Sequence, residues 1–106
     1  MKVKARHQIC PKFERTFSLI GKRWTGLIIR ILMDGKCRFV DMEAMIPNLS
    51  GRMLAERLRE LEREGIITRT VYQSMPIKIE YELTEKGLSL AQALDKVQEW
   101  AETWID

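Results

Sequence analysis

A chain of 106 residues has room for one compact domain and not for a second independent core. Its 45% apolar and 31% charged residues exclude a disordered or collagen-like chain. The formal charge of +3 conceals a division, because Lys86 and Lys96 stand against Glu85, Asp95, Glu99, Glu102 and Asp106. Residues 84–106 therefore carry −3 and residues 1–83 carry +6, a basic body with an acidic tail. That balance suits an anionic partner for the body and a different task for the tail.

Residues 1–9 read as a basic N-terminal arm, charged but not followed by the apolar block of a signal peptide. The longest apolar run, Gly26-Leu27-Ile28-Ile29, ends at Arg30, far short of the ~18 residues of a membrane span. A cytoplasmic protein that stays off membranes is expected. Cys10 and Cys37 form no CxxC pair and His7 is the sole histidine, so one chain cannot assemble a four-ligand zinc site. Reduced thiols, no metal and no cofactor are expected.

From Pro11, a residue suited to a first helical turn, Phe13, Phe17 and Ile20 recur at helical spacing up to Gly21. A second helix is expected from Trp24 to Met33, its apolar face made of Trp24, Leu27, Ile28, Ile31 and Leu32, with Asp34-Gly35 as the stop. A short extended piece, Cys37-Arg38-Phe39, leads to a third helix from about Val40 to Met45, which must end at Ile46 because the residue before Pro47 avoids helical angles. The fourth helix is the clearest, with Ser50 placed to cap it and Gly65 to terminate it. Steps of 100° put Leu54, Leu58 and Leu61 on one stripe and Arg52, Glu56, Arg59 and Arg63 opposite.

Beyond Gly65, the β-branched run Ile66 to Tyr72 and the alternating Ile77, Ile79, Tyr81 and Leu83 flank the turn Gln73-Ser74-Met75-Pro76, a β-hairpin. Thr84 caps a last helix in which Leu90, Leu94, Val97, Ala101 and Trp104 follow spacings of 4, 3, 4 and 3. Leu88, Ala91 and Trp100 widen that apolar surface beyond what a terminal helix needs to cover its own small domain, so a partner surface is implied.

Short helix, proline-marked turn, amphipathic helix and hairpin make a winged helix-turn-helix, an α+β fold that is mainly α with a C-terminal dimerisation helix. In that arrangement the fourth helix presents its N-terminal polar residues to a major groove about 12 Å wide. Arg52 suits guanine, because a guanidinium can bond O6 and N7 together. Glu56 can accept from cytosine N4 or hold Arg52 in place. The Ser50 hydroxyl and the helix N-terminus suit a phosphate, and Gly51 permits close backbone approach. Arg69 and Lys78 beside the hairpin suit phosphate or minor groove. The bland alternative is a solvated face, since Glu56, Glu60, Glu62 and Glu64 nearly cancel Arg52, Arg57, Arg59 and Arg63.

Gly21-Lys22-Arg23-Trp24-Thr25, Gly35…Arg38-Phe39, Pro47-Asn48-Leu49-Ser50, Leu54…Arg57-Leu58…Leu61-Glu62, Gly65-Ile66 and Pro76-Ile77…Glu80-Tyr81…Leu83-Thr84…Gly87 together resemble the HxlR-type winged-helix regulators, relatives of the MarR group. The likeness runs from Cys10 to Trp104, and residues 10–106 form the single domain it describes. It implies a homodimer on a palindromic operator in double-stranded DNA, bound through Ser50, Gly51, Arg52, Met53, Glu56 and Arg57 with Arg69 and Lys78 on the wing. The dimer it implies is built by the first and last helices, through Phe13, Phe17, Leu90, Leu94, Val97, Ala101 and Trp104. Cys10-Pro11 stands where some such regulators sense electrophiles or oxidants, and the first helix's dipole with Arg6, Lys12 and Arg15 favours a reactive thiol there; the alternative is a plain, partly buried cysteine. Cys37 is either a resolving partner or core packing.

Catalysis is not expected, since the sequence offers no nucleophile with a base, no paired carboxylates and no phosphate loop. The rival reading is a winged helix used for protein or RNA interaction. RNA recognition calls for exposed aromatics, and Phe39, Tyr72 and Tyr81 read better as packing.

Overall fold

The computed structural model describes residues 9–106, and the rest of the basic arm expected at residues 1–9, Arg6 and His7 included, lies outside them. The elements in chain order are α1 (Pro11–Ile20), α2 (Thr25–Leu32), β1 (Cys37–Arg38), α3 (Phe39–Met45), α4 (Gly51–Arg63), β2 (Ile67–Tyr72), β3 (Lys78–Leu83) and α5 (Glu85–Trp104). Five helices and one small antiparallel sheet, ordered β1-β3-β2, give the mainly helical α+β architecture of a winged helix. No helix among the described residues is long and apolar enough to cross a membrane.

α2 begins one residue later than the periodicity predicts. Trp24 is its N-cap in the left-handed region, φ 82°, and the Arg23 guanidinium lies 4.3 Å from the centre of its ring. A bulky residue rarely adopts positive φ, so this corner is held by its surroundings and not by local preference. α3 starts at Phe39, leaving only Cys37 and Arg38 to pair with Tyr81 and Glu80 of β3. That pairing is non-local, and no periodicity in a two-residue strand announces it.

The core is one cluster: Ile28, Ile29 and Leu32 from α2, Met42 from α3, Leu54, Leu58 and Leu61 from α4, with Ile46, Leu49, Ile66, Ile67, Tyr81 and Ala91 around them. The leucine stripe is fully buried as its spacing requires, and Ser50 caps α4 by accepting from the Met53 N–H at 3.1 Å. Gly65 ends the helix with φ 77°, a conformation glycine adopts without strain. None of the residues of α1 is buried.

The start of α5 locks the junction between α4 and the hairpin. The Thr84 hydroxyl lies 2.6 Å from the Gly65 carbonyl and accepts from the Gly87 N–H at 3.0 Å, and the Lys86 ammonium donates to the Glu64 carbonyl at 2.6 Å. Gly87 is buried so close to β2 that an added Cβ would collide with the Ile66 carbonyl oxygen and crowd Leu83. Backbone cannot yield as a side-chain tip can, so Gly87→Ala should lower stability by about 1–3 kcal/mol, read as an earlier midpoint in denaturant unfolding. An unchanged midpoint would show that α5 shifts freely.

Candidate nucleic-acid interface

Burial of Leu54, Leu58 and Leu61 turns Arg52, Glu56, Arg59 and Arg63 into water. The nearly balanced charges of α4 are sorted by what they touch. Glu60 is taken by Lys22, at 3.0 Å, and by Arg57, at 3.3 Å, while Glu64 is taken by Arg15 at 2.9 Å. Those pairs face α1 and the α1–α2 turn. What remains exposed on α4 is Arg52, Arg59 and Arg63 against Glu56 and Glu62, so the outward face is basic where the whole helix looked neutral.

Arg57 differs from its exposed neighbours on α4. Its side chain is only 14% exposed, with Nε donating to the Arg23 carbonyl at 3.0 Å. It satisfies a backbone acceptor in the turn that carries Trp24, and it is committed to holding α4 against that turn instead of facing outward. Met53 is half-buried and packs against the core.

Ser50 accepts from Met53 and keeps its O–H for another acceptor, and the early N–H groups of the helix point outward with the positive end of its dipole. The Glu43 carboxylate of α3 approaches Gly51 so closely that a Cβ there would sit 2.5 Å from its oxygen, so glycine at this position also accommodates α3.

The hairpin divides its two cations between faces. Arg69 pairs across the ladder with the buried Tyr81, which places it on the side toward α4. Lys78 pairs with Tyr72 on the opposite side, its ammonium 4.9 Å from the centre of the Tyr72 ring and 3.5 Å from Glu80. Hydrogen bonding to Glu80 pushes the Tyr72 phenol above its ordinary pKa, and the same bond holds Glu80 below its own. Lys78 is thus positioned by its neighbours, whereas Arg69 is exposed.

The apolar seam also divides. Ala91 is fully buried and Leu90 and Leu94 lean on the subunit's own core, so these three are intramolecular packing before they are anything else. Leu88, Val97, Trp100 and Trp104 stay exposed, as do Phe13 and Phe17, whose rings meet on α1 with centres 4.8 Å apart and planes tilted by 46°. Trp100, expected beside the seam, belongs to this exposed surface, and so does Ile105, which lies outside the apolar spacing that the sequence shows. Leu94, Val97 and Ala101 line a groove of about 340 Å³ with Trp24 and Leu27 of α2.

Cys10 is exposed at the N-cap of α1, with Lys12 two residues on; Arg15, also expected to assist it, is instead paired with Glu64. Cys37, the first residue of β1, is buried, and that burial, reinforced by the nearby Asp41, pushes its thiol up, leaving it protonated at neutral pH. A protonated, enclosed thiol is a poor partner in exchange chemistry.

Comparison with known proteins was consistent with this geometry. Residues 19–106 match the model of the HxlR-like helix-turn-helix family. The HTH-type transcriptional regulator YvaP of Bacillus subtilis is 48% identical over 99 residues, 93% of this chain and 92% of its own. The reduced form of the transcriptional regulator YodB from B. subtilis superposes with a TM-score of 0.80 at 48% identity, covering 93% of this chain and 97% of that one. The redox regulator HypR in its oxidized form gives 0.85 at 41% identity, over 92% and 99% of the two chains.

Two substitutions separate reading from holding. Arg52→Ala should relax base preference by roughly 1–3 kcal/mol at one position, measured by competition among operator variants. Arg57→Ala should leave that preference intact and lower the unfolding midpoint. The reverse assignment of effects would contradict the geometry.

Proposed function

The chain is a member of the HxlR-like helix-turn-helix family and a transcriptional regulator, and from that premise we propose that it binds a palindromic operator as a cytoplasmic homodimer, acting by binding and not by catalysis. The observation that carries the dimer is the surface left uncovered on α1 and on the second half of α5. Phe13 is 65% exposed, Val97 59% and Trp104 69%, an apolar area far too contiguous for a free monomer. Two copies joined there display two α4 helices, and a two-fold protein calls for a two-fold operator.

The signal is read at Cys10. YodB is known in reduced, diamide-treated and quinone-bound forms and HypR in reduced and oxidized forms, and Cys10 is the exposed thiol of this chain. Its place at the start of α1 puts thiol chemistry at the edge of the dimer surface, so modification there changes how two copies meet.

Sedimentation of Phe17→Glu and Val97→Glu tests the dimer, since both sites are exposed in the single chain and neither change disturbs the core. Each should yield folded monomers with weakened operator binding, because the two half-sites no longer act together. Dimers that persist in both would overturn the interface. For the signal, Cys10→Ser should retain operator binding in the presence of diamide or a quinone where the parent loses or alters it; identical responses of the two proteins would exclude Cys10 as the sensor.

A further inference from the structure

Between α4 and the hairpin lies a cleft of about 470 Å³ whose lining includes Phe39, Ala55, Arg59, Glu62, Arg69 and Tyr81. The geometry points to a phosphate seat: Arg59 and Arg69 together take one phosphodiester of the operator backbone, on a duplex already engaged by the N-terminus of α4. This rests on the DNA-binding reading above and adds a site to it.

Both guanidiniums are exposed, and among the described residues neither enters an ion pair. That sets them apart from Arg15, Arg30 and Arg57, each of which has an acidic partner. Glu62 also lines the cleft, leaving one net positive charge for one phosphate. Phe39, Ala55, Ile79 and Tyr81 form an apolar floor that lowers the local dielectric and strengthens a charge-assisted bond above it.

Position along α4 matches the shape of DNA. Arg59 follows Arg52 by seven residues, which returns it to the same side of the helix about 10.5 Å further along the axis. A major groove is about 12 Å wide and 8.5 Å deep. With Arg52 at the base edges, Arg59 reaches the wall of the groove, where the sugar-phosphate backbone runs. Arg69 approaches the same point from β2, because its ladder position with Tyr81 faces it toward α4. One phosphate held from two elements fixes the depth of α4 in the groove and its distance from the wing. Fixing depth in this way bears on base reading without touching a base.

The test is the salt dependence of binding to a duplex selected by the parent protein from a random-sequence pool, for the parent, Arg59→Ala, Arg69→Ala and the double variant. Each phosphate neutralised contributes about 0.9 to the slope of log affinity against log salt. Because the two arginines serve one phosphate, each single variant and the double variant should all lose about the same slope, near 0.9. Lys96→Ala, on the exposed side of α5, should lose none. Arg59→Ala and Arg69→Ala with the parent's slope would overturn the seat while leaving DNA binding intact, and a double variant that loses about twice the single loss would replace one shared phosphate with two separate ones. A parent that binds duplex without salt dependence would overturn the DNA reading and the seat together. Circular dichroism of the variants should match the parent, as both side chains lie outside the core.

Discussion

Burial of Leu54, Leu58 and Leu61 against Ile28, Ile29 and Met42 decides which side of α4 meets solvent, and the rest of the molecule is arranged around that choice. Three buried leucines contribute on the order of 1.5–3 kcal/mol each from apolar area alone. That is enough to fix the rotation of a 13-residue helix whose polar face prefers water in any orientation. Once rotation is fixed, the acidic side chains of α4 fall into two groups. Glu60 and Glu64 turn toward α1 and its turn, where Lys22, Arg57 and Arg15 consume their charge. The outward face is left with an excess of arginine, so packing, and not overall composition, creates its positive character.

The same anchoring places the other parts. Arg57 ties α4 to the corner at Trp24, while Thr84, Lys86 and Gly87 tie its far end to α5. A displacement at the start of α5 is therefore transmitted to the end of α4 through hydrogen bonds of 2.6–3.0 Å and close backbone packing, with no flexible linker between them. In the proposed homodimer, joined through α1 and the second half of α5, these contacts lead from the interface to the end of each α4. Cys10 stands at the beginning of α1, at the edge of that interface.

Much of this was legible in the sequence because it rests on local periodicity. The α4 stripe, the Ser50 cap, the Gly65 stop and the hairpin around Met75-Pro76 all depend on residues within a few positions of each other. What escaped depends on distant partners. Arg57 and Arg59 are alike in sequence, yet one reaches a backbone carbonyl of the α1–α2 turn and the other stays in water. Leu94 and Val97 sit in one heptad seam, yet Leu94 leans on its own core and Val97 is exposed. Arg69 and Lys78 look equivalent on the wing until ladder register sends them to opposite faces. A helical wheel assigns faces correctly but does not say what each face will meet.

In the proposed dimer, two copies present two α4 helices to one duplex, each with its exposed arginine face in a major groove. Hydroxyl-radical footprinting of the purified protein on a selected operator tests this most directly. The account predicts two protected segments related by two-fold symmetry, with centres one helical turn of about 10–10.5 base pairs, or a whole multiple of it, apart. A single protected segment, or two whose spacing is unrelated to the helical repeat, would contradict it.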